Sequence, residues 1–253
     1  MNHTPDKNED MVAEVINPGG DARVVLVCEH ASAFIPPAFA DLGLSGQALT
    51  SHAAWDPGAL PVAKELAHRL NAPLVLSRVS RLVYDCNRPP DAPDAMPARS
   101  EVFDIPGNHA LSAADREARV AQYYAPFHQL LQKTLEARPN AAVVTIHSFT
   151  PVYNGMPRDF DIGVLHDKDA RFADAMLGIT DQQDRYDVRR NAPYGPQDGV
   201  THTLKTHALP QRRLNVMIEM RNDVIATQAD QTAMAGQFAD WIPEALAACE
   251  ESA

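Results

Sequence analysis

Cysteine is scarce in this chain. Cys28, Cys86 and Cys249 are too few and too scattered for a disulfide framework, and no two of them form a CxxC pair. Cationic excess is also missing: 22 Lys and Arg stand against 33 Asp and Glu, for a formal charge of -11 and a pI near 5.3. That balance argues against a phosphate backbone or an anionic membrane as the main partner. No basic stripe interleaved with aromatics is present to read nucleic acid. No apolar run approaches the roughly 20 residues that span a bilayer. The opening MNHTPDKNEDM has neither the basic nor the apolar region of a signal peptide. Internal repeats, heptads and low-complexity tracts are absent as well. These absences predict a cytoplasmic protein with neither nucleic acid nor membrane as partner; they say little about a small substrate, since a local cationic patch can sit inside an acidic protein.

What is present is ordinary globular material, 45% hydrophobic and 22% charged in 253 residues, enough for one large domain. Residues 1–20 are polar and end in Asn17-Pro18-Gly19-Gly20, so they read as a flexible tail before a single domain over 21–253. Val24–Cys28 is a short continuous apolar run, the pattern of a strand buried on both faces. Further strands are expected at 74–76, 82–84, 142–146 and 215–218. Within 57–70, Leu60, Ala63, Ala67 and Leu70 recur at helical spacing with Lys64, Glu65 and Arg69 opposite. Ser112 with Asp115 opens a second helix reaching about 137, which Pro126 should kink or divide. A third helix is expected over 230–248, and loops over 89–107 and 149–158. Apolar strands alternating with amphipathic helices predict an α/β fold, a mainly parallel, mixed open sheet covered on both faces.

The chemistry gathers where strands end. Val24–Cys28 runs into Glu29-His30, the strand at 142–146 into His147-Ser148, and that at 215–218 into Glu219, with Arg221 just beyond. Open α/β sheets bind ligands outside the carboxyl ends of their strands. Two imidazoles and a carboxylate brought to one such edge are costly to desolvate unless a metal, partner or substrate compensates. Imidazole nitrogen and carboxylate oxygen are ligands that zinc takes, with an open position for water in a catalytic site. Each residue also has a plainer reading. His30 and His147 can simply bond the loops that follow them, and Asp56 before Pro57 fits a helix N-cap. Glu219 can pair with Arg221, and Arg81 and Arg88 can brace loops. Cys28 and Cys86 read as core thiols, and His52 and His68 as exposed or capping residues.

Five phrases taken together resemble the N-formylglutamate amidohydrolase family. They are Cys28-Glu29-His30-Ala31-Ser32, Ala54-Trp55-Asp56-Pro57-Gly58-Ala59, Ser80-Arg81-Leu82-Val83-Tyr84-Asp85-Cys86-Asn87-Arg88-Pro89, Thr145-Ile146-His147-Ser148-Phe149 and Ile218-Glu219-Met220-Arg221-Asn222-Asp223. The resemblance implies a three-layer α/β/α domain of the phosphorylase/hydrolase-like kind, related to zinc carboxypeptidases and acyl-amino acid deacylases. It implies one zinc or other divalent ion on His30, Asp56 and His147, with Glu29 a rival for the acidic ligand. Extended neighbours point to opposite faces, so Glu29 and His30 reach one ion only if the strand bends. The resemblance makes Glu219 the general base and Arg221 an oxyanion or second-carboxylate residue. Asn87 and Arg88 become the clamp on a substrate carboxylate, while Ser148, Ser32, Tyr194 and His207 are further pocket candidates. One phrase departs from the family pattern, Glu29-His30-Ala31-Ser32 standing where His-Ser-Gly is the usual form. Hydrolysis of an N-acyl amino acid is therefore a firmer expectation than any named acyl group. The rival readings are a carboxypeptidase-like hydrolase of another N-acyl amino acid or peptide, and a non-catalytic carboxylate-binding protein.

Overall fold

The computed structural model describes residues 11–183 and 185–251. Seven strands make the main sheet: β1 (Ala13–Ile16), β2 (Val24–Cys28), β3 (Leu74–Ser77), β4 (Ala142–Phe149), β5 (Ile162–Leu165), β6 (Val188–Arg190) and β7 (Asn215–Arg221). Their spatial order is β1-β3-β2-β4-β7-β5-β6. Strands β3, β2, β4 and β7 run parallel, β1 and β5 lie antiparallel to β3 and β7, and β6 runs with β5. The helices used below are α1 (Ala59–Leu70), α2 (Ala113–Arg119), α3 (Ala125–Glu136), α4 (Arg171–Thr180), α5 (His202–His207) and α6 (Gln228–Glu251).

All five residues of β2 are buried, and their period-2 alternation divides them between two cores. Val24, Leu26 and Cys28 join a cluster with α1, α4 and α6, whereas Val25 and Val27 join Phe127, Leu131 and Leu135 of α3 on the other side. The sheet is thus the middle of three layers. Each fully buried Val, Leu or Phe contributes about 1.5–3 kcal/mol relative to exposure, so the two-faced apolar runs are what hold the layers together. Helix α1 buries Ala59, Val62, Ala63, Leu66 and Ala67, with Leu60 and Leu70 half-buried at the edge of the stripe. The apolar face is therefore rotated slightly from the predicted Leu60–Leu70 line.

Several expectations need correction. The tail predicted over 1–20 is cut short, because Ala13–Ile16 pair with Leu74–Ser77 as an edge strand; residues 1–10 lie outside the described residues. Residues 82–84 form a turn and not a strand. The Ser80 hydroxyl donates to Ala54 O at 2.8 Å and accepts from Leu82 N at 3.2 Å, and Val83 N donates to Ser80 O at 2.9 Å. Local bonds of this kind compete directly with a strand ladder. The helix expected over 112–137 begins with the predicted capping box of Ser112 and Asp115. It widens into a π turn at Val120–Tyr124, where Ala125 N reaches back to Val120 O, just before Pro126. Proline has no N–H to give the regular ladder, so the widened turn falls where the bond would be missing anyway. Strands β5 and β6 and helices α4 and α5 were not foreseen.

The topology also places the site. From β2 the chain passes through α1 to β3 on one side, while β4 lies on the other side of β2. Connections diverge there, and the crevice beyond the carboxyl ends of β2 and β4 is the binding place expected of an open α/β sheet.

Candidate metal centre and active site

Strand β2 stops at Cys28 while β4 continues to Phe149, leaving a step into which residues from several loops turn. His147 lies in β4 on the same face as Val143, and its register partner on β7 is Glu219. The turn after β2 delivers His30, whose carbonyl accepts from the Asp56 N–H at 3.0 Å. Asp56 is not the predicted helix cap. Helix α1 starts at Ala59 behind Gly58, which adopts φ +82° with Ile225 packed against it, and the Asp56 carboxylate turns inward instead.

Three donor atoms converge there. His147 Nδ1 lies 2.9 Å from Asp56 Oδ2, His30 Nδ1 lies 3.3 Å from the same oxygen, and the two Nδ1 atoms are 3.2 Å apart. Two donors about 2.1 Å from a shared ion at the tetrahedral angle lie roughly 3.4 Å apart, so the triangle fits ligands of one cation. The outer nitrogens strengthen the fit. His30 Nε2 bonds Asp85 Oδ1 at 2.7 Å, and His147 Nε2 lies 3.1 Å from Glu29 Oε2, close enough for an ion pair though not angled for a hydrogen bond. Metal-ligating histidines characteristically present their second nitrogen to a carboxylate. His30, Asp56 and His147 are all buried and could hold a metal ion. Glu29, the rival ligand, is placed behind His147 rather than in the triangle.

The electrostatics of this cluster favour a cation. Burial works against the Asp56 carboxylate, yet His30 and His147 hold it far below the usual carboxylate range. Asp85 is held low against burial by His30 and Arg81, and Glu29 against burial by His147. Arg81 bridges the group, with Nη1 3.4 Å from Asp56 Oδ1 and Nη2 2.8 Å from Asp85 Oδ2. Burial and Arg81 pull the His30 imidazole down, but Asp85 and Asp56 outweigh them. His147 likewise overcomes burial through Glu29 and Asp56 and stands well above its ordinary value.

Glu219 differs from the other acids. It is 4% exposed, and its Oε2 has no hydrogen-bond partner among the described residues. Burial pushes its pKa up to about 7, with Asp56 adding to the rise and His147, His30 and Arg81 opposing it. It faces a cavity of about 280 Å³ that is also lined by the donor triangle, Arg81, Asn87, Arg88, Ser148 and Tyr194.

The structure brings most of the expected site residues to this cavity, with differences in what they do. Asn87 donates its amide to Val200 O at 2.5 Å and accepts from Thr203 N at 3.0 Å, which pins the loop. Arg88 donates to Asp94 Oδ2 at 2.6 Å and to Gly199 O at 3.3 Å. The Ser148 hydroxyl donates to Pro57 O at 2.8 Å, and its N–H donates to Asp56 Oδ2 at 3.2 Å. Arg221 is not brought to the cavity lining; it bonds Asp223 at 2.7 Å and Phe160 O at 2.9 Å, with Asp161 at 3.2 Å. Ser32 caps its own loop and His207 pairs with His128, both away from this cavity. Burial pushes the Cys28 and Cys86 thiols well up, with Asp56 and Asp85 respectively adding to it, so both are inert core groups. Sequence reasoning missed Asp85 as the partner of His30 and took Arg81 for a loop brace. The signal available was that both sit inside the phrase 80–89.

A buried donor triangle that could hold a metal ion thus lies beside an unpartnered carboxylate at the carboxyl edge of an open α/β sheet. A family model described as N-formylglutamate amidohydrolase matches residues 22–226, and the chain belongs to that family of hydrolases acting on an amide bond. Among solved structures, the gene product Atu2144 from Agrobacterium tumefaciens is similar at 52% identity and TM-score 0.94, over 97% of this chain and 98% of that one. The N-formylglutamate amidohydrolase from Ralstonia eutropha JMP134 shares the fold at 19% identity and TM-score 0.60, over 92% of this chain and 98% of that one. No curated protein matches the chain.

Proposed function

We propose that this protein hydrolyses the amide bond of an N-acyl acidic amino acid, with N-formylglutamate the leading substrate, using one divalent metal ion and Glu219 as general base. The observation that carries the reading is the meeting of His30 Nδ1, His147 Nδ1 and Asp56 Oδ2 within 3.3 Å of one another beside the unpartnered Glu219. Zinc is the ion best suited to two imidazoles and a carboxylate, and when bound it supplies Lewis acidity that polarises a carbonyl and acidifies water. The rest is the work of the chain. Asp85 and Glu29 keep His30 and His147 in the orientation that presents Nδ1 to the cavity. Glu219 Oε2 accepts a proton from the attacking water and passes it to the leaving amine nitrogen. A buried carboxyl whose pKa stands near neutrality is poised for both halves of that transfer.

Asn87, Arg88 and Ser148 form the wall against which the substrate is held; with Nε of Arg88 on Asp94 and Nη1 on Asn87 O and Gly199 O, its Nη2 is the nitrogen left to meet a carboxylate. Fixing one end of the substrate there positions the amide at the donor triangle. A protein that only bound carboxylates would have no use for an unpartnered, buried Glu219, which favours turnover over the binding-only reading. The cysteines are free thiols, in keeping with the reducing cytoplasm proposed as its location.

The test is metal analysis of the purified protein with formate release from N-formyl-L-glutamate, for wild type and Glu219→Gln. Both proteins should retain about one divalent ion, and the variant should lose at least about a hundredfold in turnover. Undiminished activity in the variant removes Glu219 from the mechanism.

A further inference from the structure

The arginines near the cavity are not alike. Arg81 is paired with Asp56 and Asp85, Arg88 with Asp94, and Arg221 with Asp161 and Asp223. His52, at the rim, is paired with Glu101. Arg158 has no carboxylate within ion-pair distance among the described residues. Its guanidinium carbon instead lies 4.7 Å from the ring centre of Tyr153, 5.0 Å from Tyr194 and 5.6 Å from Phe149. It donates from Nη2 to the Tyr194 hydroxyl at 3.0 Å and from Nη1 to Thr150 O at 3.4 Å. Phe149, Thr150, Tyr153 and Tyr194 all line the cavity that Glu219 faces. Arg158 is not itself among the lining residues; it is a half-buried cation packed directly on them and held entirely by neutral groups.

Aromatic faces compensate a guanidinium only in part, each contact contributing less than an anion would. Two of its five N–H donors are taken by the bonds above, and the remaining edge of the fork matches carboxylate geometry. Tyr194 links this cation to the reacting end of the cavity. Burial and Glu219 push its phenol up while Arg158 opposes them. The plainer role for Arg158 is to brace three rings. A brace needs no uncompensated charge, however, and a neutral side chain of similar length would serve.

We propose that Arg158 is a specificity-determining residue, the guanidinium that receives a free carboxylate of the substrate. An acidic acyl-amino acid carries two carboxylates, and Arg158, packed on the lining residues Tyr153 and Tyr194, offers one of them a guanidinium that no carboxylate occupies among the described residues. The inference rests on the proposed hydrolase for the identity of the substrate, though the ligand chemistry it names is only a carboxylate.

Calorimetric titration of the zinc-loaded protein with glutarate and with its monoamide tests this without turnover, alongside formate release from N-formyl-L-glutamate. Wild type should prefer the dicarboxylate by about tenfold to a hundredfold, the scale of a charge-assisted bond. Arg158→Gln should abolish that preference while binding the monoamide nearly as well as wild type does. Arg158→Lys, which keeps the charge but not the fork, should retain a preference several-fold smaller than wild type, and it decides the matter if the glutamine variant does not fold. No preference in wild type, an unchanged preference in the variants, or an equal loss for both ligands would overturn the assignment. Preserved discrimination without formate release would leave Arg158 standing and sink the hydrolase reading; release without discrimination would do the reverse.

Discussion

At the scale of single residues, the least conspicuous acids govern the centre. Asp85 and Glu29 touch the nitrogens that face away from the donor triangle, at 2.7 Å from His30 Nε2 and 3.1 Å from His147 Nε2. Replacing Asp85 with Asn keeps the size but removes the charge that orients and enriches the His30 ring. The expected cost is about 10–100-fold in metal affinity, measured by competition with a chromophoric chelator. An affinity equal to wild type would show that His30 needs no such partner. His30, His147 and Glu219 were legible in the sequence because each follows an apolar run that had to be a buried strand. Asp85 was not, since 82–84 read as a strand of its own and only the bonds of Ser80 show that the segment turns there and brings Asp85 to His30. Arg158 was hidden for a similar reason, at the end of what read as a plain loop. Arg221 was the opposite case, a residue prominent in the sequence whose charge the fold had already matched.

At the scale of elements, the approach of α1 to the site depends on a position where no side chain fits. A Cβ on Gly58 would come within 2.7 Å of the Ile225 side chain and 2.9 Å of its carbonyl, in a backbone conformation at φ +82°. Gly199 has a similar φ of +72° with nothing within 4 Å, and so supplies the control. Gly199→Ala should cost about 1–2 kcal/mol in urea unfolding, the strain of the left-handed region alone. Gly58→Ala should cost more than that and also weaken metal binding, because the clash displaces the loop that carries Asp56. Equal losses in the two variants, with metal affinity intact, would separate Asp56 from the start of the helix. Gly163 has the same character on β5, where a Cβ would meet the Ala192 carbonyl and push back the segment bearing Tyr194. Such close approaches explain why β5 and β6 went unrecognised. A four-residue strand containing glycine, and a three-residue strand ending in Arg189-Arg190, show little of the apolar run that made β2 and β4 readable.

At the scale of the molecule, acid sensitivity should arise partly outside the site. His128 donates from Nε2 to Cys86 O at 2.9 Å, which leaves Nδ1 to accept from His207 Nε2 at 2.7 Å and ties α3 to α5. Burial pushes His128 down to about 3, with His207 adding, and pushes His207 down to about 4, with His202 adding. Both rings are therefore neutral in the fold, while the unfolded chain protonates them below about 6.5. Stability contributed by this pair is intact above that value and declines as pH falls toward 4, the unfolded state binding more protons throughout the window. His207→Gln should reduce the slope of unfolding free energy between pH 6 and 5 by about 1.4 kcal/mol per pH unit. Urea melts across that range would refute the assignment by returning the wild-type slope. The order of the layers was legible from alternating strands and helices, whereas the reversal of β5 and β6 depended on pairings that no local pattern records. The donors of the triangle stand 26, 91 and 117 positions apart along the chain. An unfolded polypeptide cannot gather them, so the proposed ion would stabilise only the finished native state. Chelators should accordingly lower the melting temperature of the loaded protein, and a nicked chain that falls apart should surrender its ion in the same event.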